Sequence, residues 1–208
     1  MPKTRNRSVP AAVRSRRAYF DCRFGQLHVR TAFPTTGGFD EQVPLFCVHD
    51  DGSSSRAFAY LLPQIAANRS VYAPDLPGSG ESDPAPERTF AANAAALADL
   101  AADLRLREID LLGMRQGAGT AVQLAATRPD LVRRLVLSAI PPVEDLPVAS
   151  QPCLVLQVQL GRTGTSPWVQ AIVPNARFKD LAEFAADPLQ SEPAEFARQV
   201  SAFLDERG

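Results

Sequence analysis

At 208 residues and 45% hydrophobic, the chain is long enough for one well-buried core and sits near the upper range of a single domain. Its 22 basic and 23 acidic residues leave a net charge of -1, which supplies no global attraction to nucleic acid or to an anionic membrane. No window approaches the ~18 apolar residues of a membrane span, so a soluble protein with neither nucleic acid nor membrane as partner is expected.

Charge is nevertheless uneven along the chain. Lys3, Arg5, Arg7, Arg14, Arg16 and Arg17 all precede the first acidic residue, Asp21. Residues 1–17 are therefore expected to form a disordered basic arm, either a solvated tail or a targeting or docking arm, with the folded domain over 18–208. No apolar h-region follows that would direct secretion. The three cysteines, Cys22, Cys47 and Cys153, stand in apolar or strand-like runs rather than at metal-ligand spacing. An odd number suits a reducing cytoplasm, and buried thiols are the expectation. No metal or organic cofactor is expected.

After the arm, residues 17–33 alternate apolar and polar around Phe24-Gly25-Gln26, the pattern of an antiparallel hairpin. The short apolar run 44–48 reads as a strand covered on both faces. Ser53-Ser54-Ser55 is N-cap material for a helix over 57–67, where Phe58, Leu61, Leu62 and Ile65 fall at helical spacing. Then come a strand at 71–73, a Pro/Gly-rich loop, and a long Ala/Leu helix at 88–106. Strands at 108–112, 132–138 and 153–160 alternate with helices at 116–126 and 194–204. This order predicts an α/β fold, a mostly parallel, doubly wound sheet with an N-terminal antiparallel hairpin and helices on both faces. Ligands in such sheets bind outside the carboxyl ends of the strands. Between Ile140 and Pro152 there is too little chain for a cap domain.

Three stretches carry a family resemblance. PLFCVHDDGSSSRAFAYLLPQIAANRSVYAPDLPGSGESD (44–83) resembles the oxyanion-loop strand, first helix and PDLxGxGxSD loop of the α/β-hydrolases. LLGMRQGAGTAVQLAATRPDLVRRLVLSAIPP (111–142) resembles their nucleophile elbow with its helix and following strand, and DPLQSEPAEFARQVSAFL (187–204) the segment after the catalytic histidine. The likeness covers most of residues 18–205 and implies a lidless α/β-hydrolase-like domain.

The family's chemistry, carried onto these positions, is altered at each. Its G-x-S-x-G elbow corresponds to Gly113-Met114-Arg115-Gln116-Gly117, with arginine at the serine position. An arginine stays protonated and cannot attack a carbonyl. Family spacing, counted back from Pro193, places the histidine at Ala186, and the only histidines in the chain are His28 and His49. No Asp or Glu occurs from Leu146 to Lys179, where the resemblance implies the acid; Glu144 or Asp145 could occupy a second place the family uses, but with no histidine to orient. The oxyanion loop's His-Gly is His49-Asp50, followed by Asp51 and Gly52, and carboxylates there would repel a developing oxyanion.

Three readings of this candidate pocket stay open. Arg115 pairs with Asp50 or Asp51 and fills the vacated pocket. Alternatively Arg115 and the positive end of the helix beginning at Gln116 hold the carboxylate, sulfate or phosphate of a small ligand. In the third, Asp50, Asp51 or Asp145 has a raised pKa and serves as general acid or base in an isomerase, lyase or cyclase step. His49 is expected to tie its loop by a backbone hydrogen bond, and Trp168 and Tyr60 to pack. The expected function is a non-hydrolytic pseudoenzyme that binds a small, anionic molecule, or a protein partner or second copy of itself at the uncapped face. The alternative is an enzyme of unusual mechanism on the same fold, using Asp50, Asp51 and Arg115. A cytoplasmic location goes with either.

Overall fold

The computed structural model describes residues 13, 15–35, 42–143, 145–157, 167–181 and 187–206. Most of the basic stretch 1–17 lies outside these residues. The first strand, β1 (Arg16–Cys22), already begins at Arg16, and the hairpin closes through β2 (Gly25–Ala32). Next come β3 (Leu45–Val48), α1 (Leu62–Ile65), β4 (Val71–Pro74), α2 (Phe90–Asp103), β5 (Ile109–Met114), α3 (Gln116–Thr127), β6 (Val132–Ser138) and β7 (Cys153–Gln157). The chain then forms α4 (Pro167–Ile172), β8 (Ala176–Asp180), α5 (Pro188–Ser191) and α6 (Pro193–Leu204). Among the described residues no helix is long and apolar enough to cross a membrane.

The strands form one sheet in the order β1-β2-β4-β3-β5-β6-β7-β8, antiparallel between β1 and β2 and between β2 and β4, and parallel across the rest. Period-2 alternation sends successive side chains to opposite faces, and both faces are apolar. Phe46, Val48, Leu111, Leu135 and Val155 pack with Leu97, Ala118 and Val122 from α2 and α3. Leu45, Cys47, Leu112, Val136 and Leu154 pack with Leu62 of α1 and Phe196, Val200 and Phe203 of α6. Cys47 and Cys153 are buried and Cys22 half-buried. Between β6 and β7 the described residues form neither helix nor strand, and among the described residues no cap stands over the sheet.

The expected helix at 57–67 is broken in two. Ser54 caps a 3-10 turn over Ser55–Phe58 by accepting from Arg56 N, and α1 restarts with Pro63 in its first turn. Proline lacks the N–H a continuous helix needs and its ring would strike the carbonyl four residues back, whereas a first turn tolerates it. This break leaves Tyr60 64% exposed rather than packed, while Trp168 does lie against the core. Residues 158–160 of the strand expected at 153–160 lie outside the described residues.

At the amino ends of the strands, opposite the ligand-binding edge, Asp110 of β5 is fully buried among arginines. Arg69 donates to it at 3.2 Å, and Arg133 forks onto it at 2.9 and 2.5 Å. Arg69 also pairs with Asp205, while Arg134 donates to the Phe203 and Leu204 carbonyls at the carboxyl end of α6. Cationic groups belong at that end of a helix, and the cluster pins α6 to the sheet.

Candidate active site at the crest of the sheet

Between β5 and α3 stands a single residue, Arg115, with φ 50 and ψ -118. Side chains rarely adopt this left-handed region, and holding one there costs about 1–3 kcal/mol. The neighbouring glycines explain why the turn is so sharp. A Cβ on Gly113 would lie 2.6 Å from the Ala118 Cα, and one on Gly117 would lie 2.4 Å from the carbonyl oxygens of Val48 and His49. Only glycine lets α3 start this close to β3. Arg115 N donates to Ser138 O at 2.9 Å and its own carbonyl accepts from Ala118 N, which completes a strand-elbow-helix turn.

The Arg115 side chain does not fill the space beneath it. It is 57% exposed, and its Nε lies 3.8 Å from Asp50 Oδ2, an ion-pair contact beyond hydrogen-bond length. The expected pairing with Asp50 is thus present only as a loose contact, and the expected filling of the pocket is corrected: the guanidinium is largely exposed, where water compensates its charge more cheaply than a buried partner could. Asp51 is also exposed.

Asp50 has a different role. Its Oδ1 accepts from Asp51 N at 2.9 Å and from Gln116 N at 3.1 Å. Those donors are the N–H of the residue after the elbow and an N–H of the loop after β3, the pair that lines an oxyanion hole in α/β-hydrolases. One oxygen of the chain's own carboxylate thus accepts from both donors.

His49 holds this loop. Leu76 N donates to its Nε2 at 2.9 Å, so that nitrogen carries no proton, and Nδ1 donates to Asp50 O at 2.6 Å. Burial holds its pKa below the ordinary histidine value. A neutral ring with both nitrogens spent on backbone groups is a structural tie, as expected. His28 is buried in the hairpin and shares Nδ1 with Asp75 Oδ2 at 2.9 Å. Asp75 also accepts from Ser55 N at 2.6 Å and Glu81 N at 2.9 Å, so it joins the hairpin, the first helical turn and the loop after β4.

Two cavities flank the loop. One of about 460 Å³ is lined by His49, Asp51, Leu76, Arg88, Phe90, Asn93, Gln116 and Thr120, among others, between the β4 loop and the first turns of α2 and α3. A second, of about 200 Å³, lies over the elbow and is lined by Asp50, Arg115, Ser138, Asp187, Phe58 and Met114, among others. Of the residues singled out in the sequence, His49, Asp50, Asp51, Arg115 and Gln116 are brought together. Asp145 is not: it is exposed at φ 61 in the β6–β7 connection and lines neither cavity. Ala186 and Glu144 lie outside the described residues. Asp187 accepts from Leu189 N at 3.2 Å and caps α5 at the edge of the smaller cavity.

Ser138 was not singled out. It ends β6 opposite Met114, is fully buried, and its Oγ has no hydrogen-bond partner. The α2 residues Phe90 and Asn93 were also passed over. In each case the sequence offered only a residue near an element end, without a motif. Among the described residues no group of three His, Cys, Asp or Glu side chains is arranged to hold a metal ion.

Parts of this chain are similar to known proteins. An uncharacterised protein of Mycobacterium tuberculosis is 34% identical over 94 residues, which is 45% of this chain and 28% of that protein. The 2-hydroxymuconate semialdehyde hydrolase of Pseudomonas sp. strain CF600 is 35% identical over 102 residues, 45% of this chain and 35% of the enzyme. The match thus spans about a third or less of these relatives' lengths. The crystal structure of Cfl2 from Burkholderia cenocepacia superposes over 95% of this chain and 98% of that one with a TM-score of 0.78 at 16% identity, a likeness of fold. The model of the alpha/beta hydrolase fold matches residues 43–164, more than half of the 208. With the elbow and the oxyanion loop in their expected places on this sheet, the chain belongs to the α/β-hydrolase fold family.

Proposed function

We propose that this chain is a non-hydrolytic member of its family, a pseudoenzyme that binds a small molecule at the crest of the sheet, with the 460 Å³ cavity as the main seat. The observation that carries the reading is the elbow itself: a protonated, half-exposed arginine stands at the apex, and Asp50 holds both N–H groups of the oxyanion hole. Acyl transfer needs a nucleophile, a base to activate it and free donors for the developing charge. Arg115 cannot attack, His49 has no free nitrogen, and both donors are engaged by the Asp50 carboxylate. The cavity has the size and the mixed lining of a small-molecule site.

A second reading keeps catalysis, with Asp51 as a general acid or base. It is favoured by the hydrolase names among the relatives and by the exposed Asp51 carboxylate in the cavity wall. A panel of p-nitrophenyl esters with a fluorophosphonate probe separates the two. The pseudoenzyme gives neither turnover nor labelling. Turnover abolished by Asp50→Asn or Asp51→Asn would establish the second reading instead.

A further inference from the structure

The donors of the oxyanion hole belong to one cavity and the group that fills them to the other. Asp51 and Gln116 line the larger cavity, whereas Asp50 and Arg115 line the smaller, so the Asp50 carboxylate stands at the divide. Its Oδ1 is fully engaged by the two N–H groups, while Oδ2 has only the loose 3.8 Å contact with Arg115. The Asp50 side chain is a third exposed, so water reaches it in this position. In the same smaller cavity the Ser138 hydroxyl is fully buried without a partner. Buried polar groups are almost always satisfied, and an unsatisfied one forgoes about 1–3 kcal/mol. Here are two N–H donors occupied by one side-chain carboxylate, a cation 3.8 Å from that carboxylate, and an unpartnered hydroxyl on a residue that lines the same cavity as both.

We propose that the crest is a binding site for a small carboxylate and is closed in cis by Asp50. The incoming carboxylate takes the N–H groups of Asp51 and Gln116, and Ser138 Oγ donates to it. The displaced Asp50 turns to Arg115, where the loose contact becomes a salt bridge. Ligand charge thus replaces Asp50 charge on the same donors, and Arg115 keeps the two carboxylates from meeting unpaired. The ligand's remainder extends into the larger cavity over Leu76 and Phe90. This rests on the crest being a non-hydrolytic binding site, but the two claims fail separately. Ester turnover by the wild type defeats that reading, whereas the experiment below addresses Asp50 alone.

Acetate is titrated into the wild type, Asp50→Ala and the double variant Asp50→Ala/Ser138→Ala, with the backbone amide signals of Asp51 and Gln116 followed by NMR. Because charge-assisted hydrogen bonds are the stronger kind, removing the resident carboxylate should tighten acetate binding at least about tenfold, both amides moving on one isotherm. Loss of the Ser138 hydroxyl should then weaken it roughly fivefold, as for one hydrogen bond. Asp50→Asn, which keeps the shape but not the charge, should fall between wild type and Asp50→Ala; it serves as the test if the alanine protein does not fold. Equal acetate affinity in wild type and variants would overturn the proposal. So would amides that ignore acetate in a folded Asp50 variant.

Discussion

Replacing Arg115 with glycine is expected to stabilise the protein relative to Arg115→Ala. Both variants lose the guanidinium and its 3.8 Å contact with Asp50, an exposed pair worth about 0–1 kcal/mol, so that term cancels. They differ in backbone strain. At φ 50 and ψ -118 the alanine keeps a Cβ and with it a penalty of about 1–3 kcal/mol. Glycine is free of the penalty but gives the unfolded chain more entropy, about 0.5–1 kcal/mol. The balance favours glycine by about 1 kcal/mol, or about 3 °C in Tm for a chain of this length. Differential scanning calorimetry and urea titration of the pair would measure it, with the urea slope unchanged. A glycine variant that melts at or below the alanine variant would refute the claim that the elbow is strained.

The buried cluster under the sheet should be far more sensitive. Asp110→Ala leaves Arg69 and Arg133 facing each other without their shared carboxylate, and urea unfolding should show a loss of about 3–5 kcal/mol; a loss within 1 kcal/mol would mean the cluster carries no weight. For Asp75, burial alone would raise the carboxyl, but hydrogen bonds from Ser55, Glu81 and His28 outweigh it and hold the pKa below the ordinary value. A group depressed in the folded state contributes stability above its unfolded pKa of about 3.9, and that contribution is lost as pH falls toward the folded value. Asp75→Asn should therefore flatten the acid limb of the stability profile below about pH 5, as followed by circular dichroism, and an unaltered limb would contradict the assignment.

Much of this architecture is legible in the chain because burial on both faces leaves unbroken apolar runs. Leu45 to Val48 and Leu135 to Leu137 read as central strands for that reason. The elbow is visible because Gly113 and Gly117 must be glycine, and their spacing survives whatever stands at the apex. The edge strand β8 was missed. Its Ala-Arg-Phe-Lys-Asp run is half exposed and too short and polar to stand out. The split of the first helix turned on Pro63, whose local signal was outweighed by the apolar spacing around it. The site divided along the same line. His49, Asp50, Asp51, Arg115 and Gln116 gather because motifs fix them to strand ends. That Asp50 would fold back onto Gln116 N depends on how closely two loops 66 positions apart approach, which no local pattern encodes. Asp145, exposed in the β6–β7 connection, lines neither cavity.

The arginine cluster at the lower edge ties early and late parts of the chain to one another. Arg69 and Arg134 are made well before α6, yet Asp205 completes the coordination of the first and the carbonyls of Phe203 and Leu204 that of the second. During synthesis, β4, β5 and β6 can leave the ribosome and assemble, but Arg69 and Arg134 have only part of their shell until the residues around 203–205 emerge. A nascent chain stalled before that point holds cations that favour an open, hydrated lower edge. The last turn of α6 thus supplies partners that two buried arginines lack without it.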